Sequence, residues 1–154
     1  MLKVVVVGLG RFGSTVAREL ARGGAEVLAV DRSTRLVEAV ADEVAVAVGF
    51  DATDIPNLEA YDAGSMDAAV VAIGSNFESS VLVTMHLKAL GVKVVHAKAL
   101  NDMQAAVLKR VGADSIVTPE EDMGRRLADH LIHDSVVDFV QLPAGTSLRR
   151  IPVP

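Results

Sequence analysis

Gly8-Leu9-Gly10-Arg11-Phe12-Gly13 carries the chemistry that can be read first. A G-x-G-x-x-G run suits a diphosphate when it leaves a strand and opens a helix. Gly8 permits a tight turn, Gly10 lets the backbone approach an anion, and Gly13 lets helix and strand pack closely. The free amides and the dipole of a helix start then favour phosphate charge. Asp31 lies at the end of the next apolar run, where a carboxylate accepts both ribose hydroxyls. That charge repels a 2′-phosphate, so NAD or adenosine phosphates are favoured over NADP, an inference that Arg32 next door tempers. Arg11 can hold a terminal phosphate through a bidentate pair, or be a solvated arginine. A cation is unfavourable at a helix start, which leans toward the phosphate.

Gly49 to Asp54 (GFDATD) places Asp51 and Thr53 where they can meet an adenine edge or ribose, or form an ordinary Asx turn before a helix. Ile73-Gly74-Ser75-Asn76 follows another apolar run, at the carboxyl edge where ligands sit in open α/β sheets, the alternative being Ser75 or Asn76 as an N-cap. Glu120, Glu121 and Asp122 read as acids complementing a helix dipole, the alternative being a carboxylate near a nucleotide-bound cation. His130 and His133 can share a face but lack a third metal ligand, and His86 and His96 read as structural.

These residues need a scaffold, and the sequence describes one. The predicted strands are Lys3–Val7, Glu26–Asp31, Val44–Val48, Asp67–Ile73, Lys93–Ala97 and Ser115–Thr118. Between them lie predicted helices at Arg11–Arg22, Thr34–Asp42, Ile55–Tyr61, Asn76–Leu90 and Asp102–Val111. A last helix is expected from the Thr118-Pro119-Glu120-Glu121 start, with Thr118 as N-cap, Pro119 at N1 and Glu121 in a capping box, to about His133. The alternation specifies an α/β fold: a Rossmann-like doubly wound parallel sheet of six strands with helices on both faces. Residues 1–135 make one nucleotide-binding lobe. Residues 136–154 read as a strand (Val136–Leu142), a Pro-Ala-Gly turn and a second strand fragment, the start of a further lobe that is cut short.

Composition narrows the function. The chain has 154 residues, 51% hydrophobic and 23% charged, so it is not disordered. It has no cysteine, which removes disulfides, zinc–thiolate sites and thiol nucleophiles. A net charge of −5 without a basic run argues against nucleic acid. Mean hydropathy is +0.38, yet no apolar stretch reaches the ~18 residues of a membrane span. No signal peptide is read, so a cytoplasmic location is expected. Aromatics are 3%, which leaves Val, Ala, Leu and Ile to build the core. There is no Tyr-x-x-x-Lys and no Ser–His–Asp ordering, and the length leaves little room for a substrate domain. The expectation is a nucleotide sensor rather than an enzyme. The alternative is an NAD-dependent oxidoreductase, or the cofactor-binding half of one.

The segments VVVVGLGRFGSTVAREL, AVD, GFDATD, VVAIGSNFESSVLVTMHLKALG, VVHAKALN and VLKRVGADSIVTPEEDMGRRLA span nearly the whole chain. In this order they resemble the RCK/KTN (TrkA-N type) domain, the cytoplasmic regulator of Trk/Ktr potassium uptake systems and of some potassium channels. The resemblance implies that Gly8, Gly10 and Gly13 bind the diphosphate of NAD(H), ADP or ATP. It implies that Arg11 approaches the terminal phosphate of ATP, Asp31 holds ribose, and Asp51 and Thr53 lie beside adenine. It adds Glu120 as a candidate to join magnesium near ATP. Phe12, Arg32, Ala52, Ile73, Gly74, Asn76 and Lys98 complete the candidate cofactor-binding set, and no catalytic residue is assigned. The implied assembly is a homo-oligomer, a dimer or a ring of eight, whose last helix crosses to a neighbour. The implied partner is a membrane potassium transporter subunit, without direct membrane insertion. A fused channel or antiporter domain is a further possibility, against which Met1 directly before the first strand argues.

Overall fold

The computed structural model describes the backbone of residues 1–139 and the side chains of residues 1–134. Two compact units divide at Thr118 and Pro119. The first unit alternates strands and helices: β1 (Lys3–Val7), α1 (Arg11–Arg22), β2 (Glu26–Asp31), α2 (Thr34–Val40), β3 (Val46–Gly49), α3 (Ile55–Ala60), β4 (Ala68–Val71), α4 (Phe77–Leu90), β5 (Val94–Lys98), α5 (Asp102–Arg110) and β6 (Ser115–Val117). All neighbouring strands are parallel, in the order β3-β2-β1-β4-β5-β6. This is the expected Rossmann-like sheet. After edge strand β3 the chain returns to lay β4 beside β1, and ligands bind open α/β sheets at such a reversal, outside the carboxyl ends of the strands.

Alternation along β1 splits the core. Val4 and Val6 pack with Val27, Ala29, Ala17, Val37 and Val40, on the side of α1 and α2. Val5 and Val7 pack with Leu28, Val30, Val71, Leu58, Val83, Leu87 and Leu108, on the side of α3, α4 and α5. Both faces of the sheet are covered, as an unbroken valine run requires.

The helix caps follow side-chain chemistry. Ser33, Asn76 and Asn101 accept from the amides of Leu36, Ser79 and Gln104, at the starts of α2, α4 and α5. Gly91 ends α4 in the left-handed region at φ 109°. Thr84 in α4 is fully buried, and its hydroxyl has no hydrogen-bond partner among the described residues. Thr84→Val is therefore expected to raise stability by about 1 kcal/mol, since an unpaired buried hydroxyl is replaced by a methyl of similar shape. Urea unfolding of the two proteins measures the difference.

Several boundaries differ from expectation. β3 begins at Val46 rather than Val44, because the Glu43 amide bonds the Val40 carbonyl and its carboxylate holds Arg18 Nε at 2.7 Å. The chain is still turning there. β4 stops at Val71, two residues early, and β5 extends to Lys98. A short 3₁₀ turn at Ala63–Ser65, entered through Asp62 at φ 56°, was not anticipated. In the second unit α6 runs Pro119–Phe139, past His133. It occupies the first residues of the strand expected from Val136. The rest of that expected strand and the following turn lie outside the described residues.

Candidate functional site

A cleft of about 750 Å³ opens at the carboxyl ends of the strands. Its floor is the glycine loop. Gly8 sits at φ +101°, and a Cβ there would stand 2.7 Å from the Ala72 carbonyl. A Cβ on Gly13 would stand 1.7 Å from the Gly8 carbonyl oxygen, so α1 reaches the loop only with glycine at that position. A Cβ on Gly10 meets nothing within 4 Å and projects into open space.

Asp31 fixes this loop. Its carboxylate accepts from the Leu9 amide at 2.7 Å through one oxygen and from the Ser33 amide at 2.8 Å through the other. A carboxylate offers about four lone-pair sites, so two amides leave capacity for hydroxyl donors. The start of α1 is built differently from those of α2, α4 and α5. Gly10 supplies no side-chain cap, and the first turn carries no acid but a cation, Arg11. Such a start gains most from an external anion.

The Asp51–Thr53 turn forms a second wall. Asp51 Oδ1 accepts from the Thr53 hydroxyl at 2.7 Å and from the Thr53 amide at 3.0 Å. These two bonds, with a smaller contribution from the Arg32 charge, hold the Asp51 carboxyl below its ordinary value of 3.8. The associated stability is present above that value and is lost as the pH falls through the lowered one. The Asp51 carbonyl accepts from Asn57 Nδ2 at 3.0 Å. The Asx turn and the candidate ligand wall are thus the same structure.

Ile73 and Gly74 lead to Asn76, whose side chain caps α4, while Ser75 lines the cleft. From β5 comes Lys98, its Nζ 5.9 Å from the centre of the Phe12 ring. The cleft therefore gathers three cations (Arg11, Arg32, Lys98) and two carboxylates (Asp31, Asp51), a local +1 in a chain of −5. That field favours an anion.

Of the expected set, Gly8, Gly10, Arg11, Phe12, Asp31, Arg32, Asp51, Ala52, Thr53, Ile73, Gly74, Asn76 and Lys98 line this one cleft. Gly13 does not line it and packs behind the loop. Glu120 belongs to the first turn of α6, in the second unit. There Arg125 pairs with Glu121 at 2.8 Å and with Asp122 at 3.2 Å. His130 pairs with Asp134 at 3.1 Å, and no group of three or more metal-ligating side chains occurs among the described residues. Ser33, Leu36, Phe50, Ser79 and Val83 line the cleft without having been singled out. Ser33 and Phe50 adjoin residues that were, whereas Leu36 and Val83 were indistinguishable from core positions. Among the described residues no helix is long and apolar enough to cross a membrane.

Known proteins with this pattern are informative. Ktr system potassium uptake protein C of Bacillus subtilis is 40% identical over 146 residues, which cover 95% of this chain and 66% of that protein. Ktr system potassium uptake protein A of Vibrio alginolyticus is 37% identical over 148 residues, covering 96% and 67%. The chain thus spans about two thirds of the length of these relatives. Among solved structures, the TrkA-N domain of the Escherichia coli inner membrane protein ybaL superposes with a TM-score of 0.76 at 19% identity, over 84% of this chain and 96% of that one. The GsuK channel bound to NAD superposes with a TM-score of 0.71 at 14% identity, over 82% and 23%. Both share the fold. The TrkA-N domain pattern itself matches residues 4–119. With most of its length inside that match, the chain belongs to the TrkA-N domain family.

Proposed function

We propose that this chain is the nucleotide-binding lobe of a regulatory subunit of a potassium uptake system, a sensor rather than an enzyme. Its ligand is NAD(H), ADP or ATP. The observation that carries the reading is the uncapped start of α1 above a glycine loop anchored by Asp31, in a cleft with excess positive charge. The amides of the first turn grip the diphosphate, and Asp31 accepts from ribose hydroxyls. Asp51, Ala52 and Thr53 border the base, and Arg11 and Lys98 neutralise phosphate charge. The relatives named above are potassium uptake proteins, which supports the regulatory role. Regulation requires that a ligand bind two states of the assembly with different affinity, and a terminal phosphate on Arg11 supplies such a difference.

Magnesium would enter with ATP. A nucleotide-bound magnesium ion takes most of its ligands from phosphate and water. The assembly is a homo-oligomer, a dimer or a ring of eight, bound to a transporter subunit on the cytoplasmic side of the membrane. Exposed Met123, Leu127 and Leu131, spaced by four along α6, support self-association.

Thermal melts with NADH, ADP and ATP, with and without magnesium, test the reading. At a concentration of about 100 Kd a ligand adds about 2.7 kcal/mol, a rise of several degrees. No NADH should be consumed. Sustained substrate-dependent oxidation of NADH would overturn the sensor assignment.

A further inference from the structure

The base end of the cleft is tied to α4 by one long-range bond. His86 is half-buried, and its Nε2 lies 3.0 Å from the Thr53 carbonyl oxygen, 33 positions away in sequence. A carbonyl only accepts, so Nε2 carries the proton and donates. The other end of the turn is held in the same way, by Asn57 at the Asp51 carbonyl. Asp51, Ala52 and Thr53 are therefore clamped from both sides, by α3 and by α4. Helix α4 also supplies Ser79 and Val83 to the lining of the same cleft. A clamp joining these walls sets the width of the slot between them.

We propose that His86 is a positioning residue for base recognition. By donating to Thr53 it holds the Asp51–Thr53 turn at the spacing from α4 that a flat heteroaromatic base requires. The inference rests on the nucleotide reading and deepens it, naming the base as the part of the ligand that His86 governs. His86 bonds the Asp51–Thr53 turn and not the glycine loop, so ligands without a base should not sense it.

The test uses isothermal titration of the parent, His86→Leu, His86→Gln and His86→Asn with ADP and with inorganic pyrophosphate. His86→Leu should weaken ADP about fivefold, the net worth of one hydrogen bond, and leave pyrophosphate unchanged. Gln places an amide nitrogen near the position of Nε2 and should restore most of the ADP affinity. Asn is too short and should not. Should the Leu variant fail to fold, the contrast between Gln and Asn gives the same answer. A parent that binds ADP no better than the Leu and Asn variants overturns the His86 assignment alone. So does an equal loss for ADP and pyrophosphate. A parent that binds no ADP overturns the nucleotide reading beneath it.

Discussion

Gly10→Val should fold like the parent and lose ADP and NADH. The backbone at Gly10 has φ −68° and ψ −161°, which any residue adopts, and an added Cβ meets no atom within 4 Å. The parent and the variant should therefore melt together. The isopropyl group would stand where the amides of the first turn of α1 face an anion. Losing two charge-assisted bonds there costs about 3 kcal/mol, more than a hundredfold in affinity. Titration calorimetry beside a melting curve separates the two properties. A variant that binds ADP like the parent would move the anion site elsewhere.

Gly13→Ala should do the opposite and damage the fold. Its single added carbon would sit 1.7 Å from the Gly8 carbonyl oxygen and 2.8 Å from the Gly8 carbonyl carbon. Backbone cannot give way as the tip of a side chain can, so α1 must withdraw from the loop. Overpacking against backbone costs about 3 kcal/mol or more, which lowers the melting temperature of a domain this size by about 10 °C. Binding should fall as well, because the amides leave their positions. An alanine variant with the parent's melting temperature would show that α1 approaches the loop less closely than described. Together the two glycines divide the motif: one keeps space for a ligand, the other for the protein's own backbone.

The sheet was legible because its signals are local. Lys3–Val7 has no polar alternation, and in the fold Val4 and Val6 take one face and Val5 and Val7 the other. Each of these faces is roofed by helices, three of whose starts carry their own side-chain caps, at Ser33, Asn76 and Asn101. The parts that escaped depend on partners distant in sequence. The 3₁₀ turn at Ala63–Ser65 holds Gly64 so close to the end of α4 that a Cβ would stand 2.4 Å from the Leu90 carbonyl oxygen. Nothing in the spacing of residues 60–66 announces that. Val136 and Val137 suggested a strand because β-branched residues favour one, yet α6 carries through them, since such propensities are weak.

The candidate site divides along the same line. Residues adjoining the carboxyl ends of strands, Asp31 and the GFDATD turn among them, could be placed at one edge from their sequence positions, because parallel strands bring those ends together. What the sequence withheld was how they engage one another. Asp31 grips the loop through the Leu9 amide, Lys98 stands over Phe12 from a strand 86 positions later, and His86 reaches Thr53. Lone histidines on helices are common, and His86 gains meaning only from the carbonyl it meets.

In the proposed function, bare amides at the start of α1 hold an anionic diphosphate while the Asp51–Thr53 turn borders the base. Backbone amide chemical shifts recorded during an ADP titration read that binding mode residue by residue. Saturable changes should be largest at Arg11, Phe12, Gly13 and the Asp51–Thr53 turn. Saturable binding that leaves these amides unmoved and shifts a different surface would contradict it.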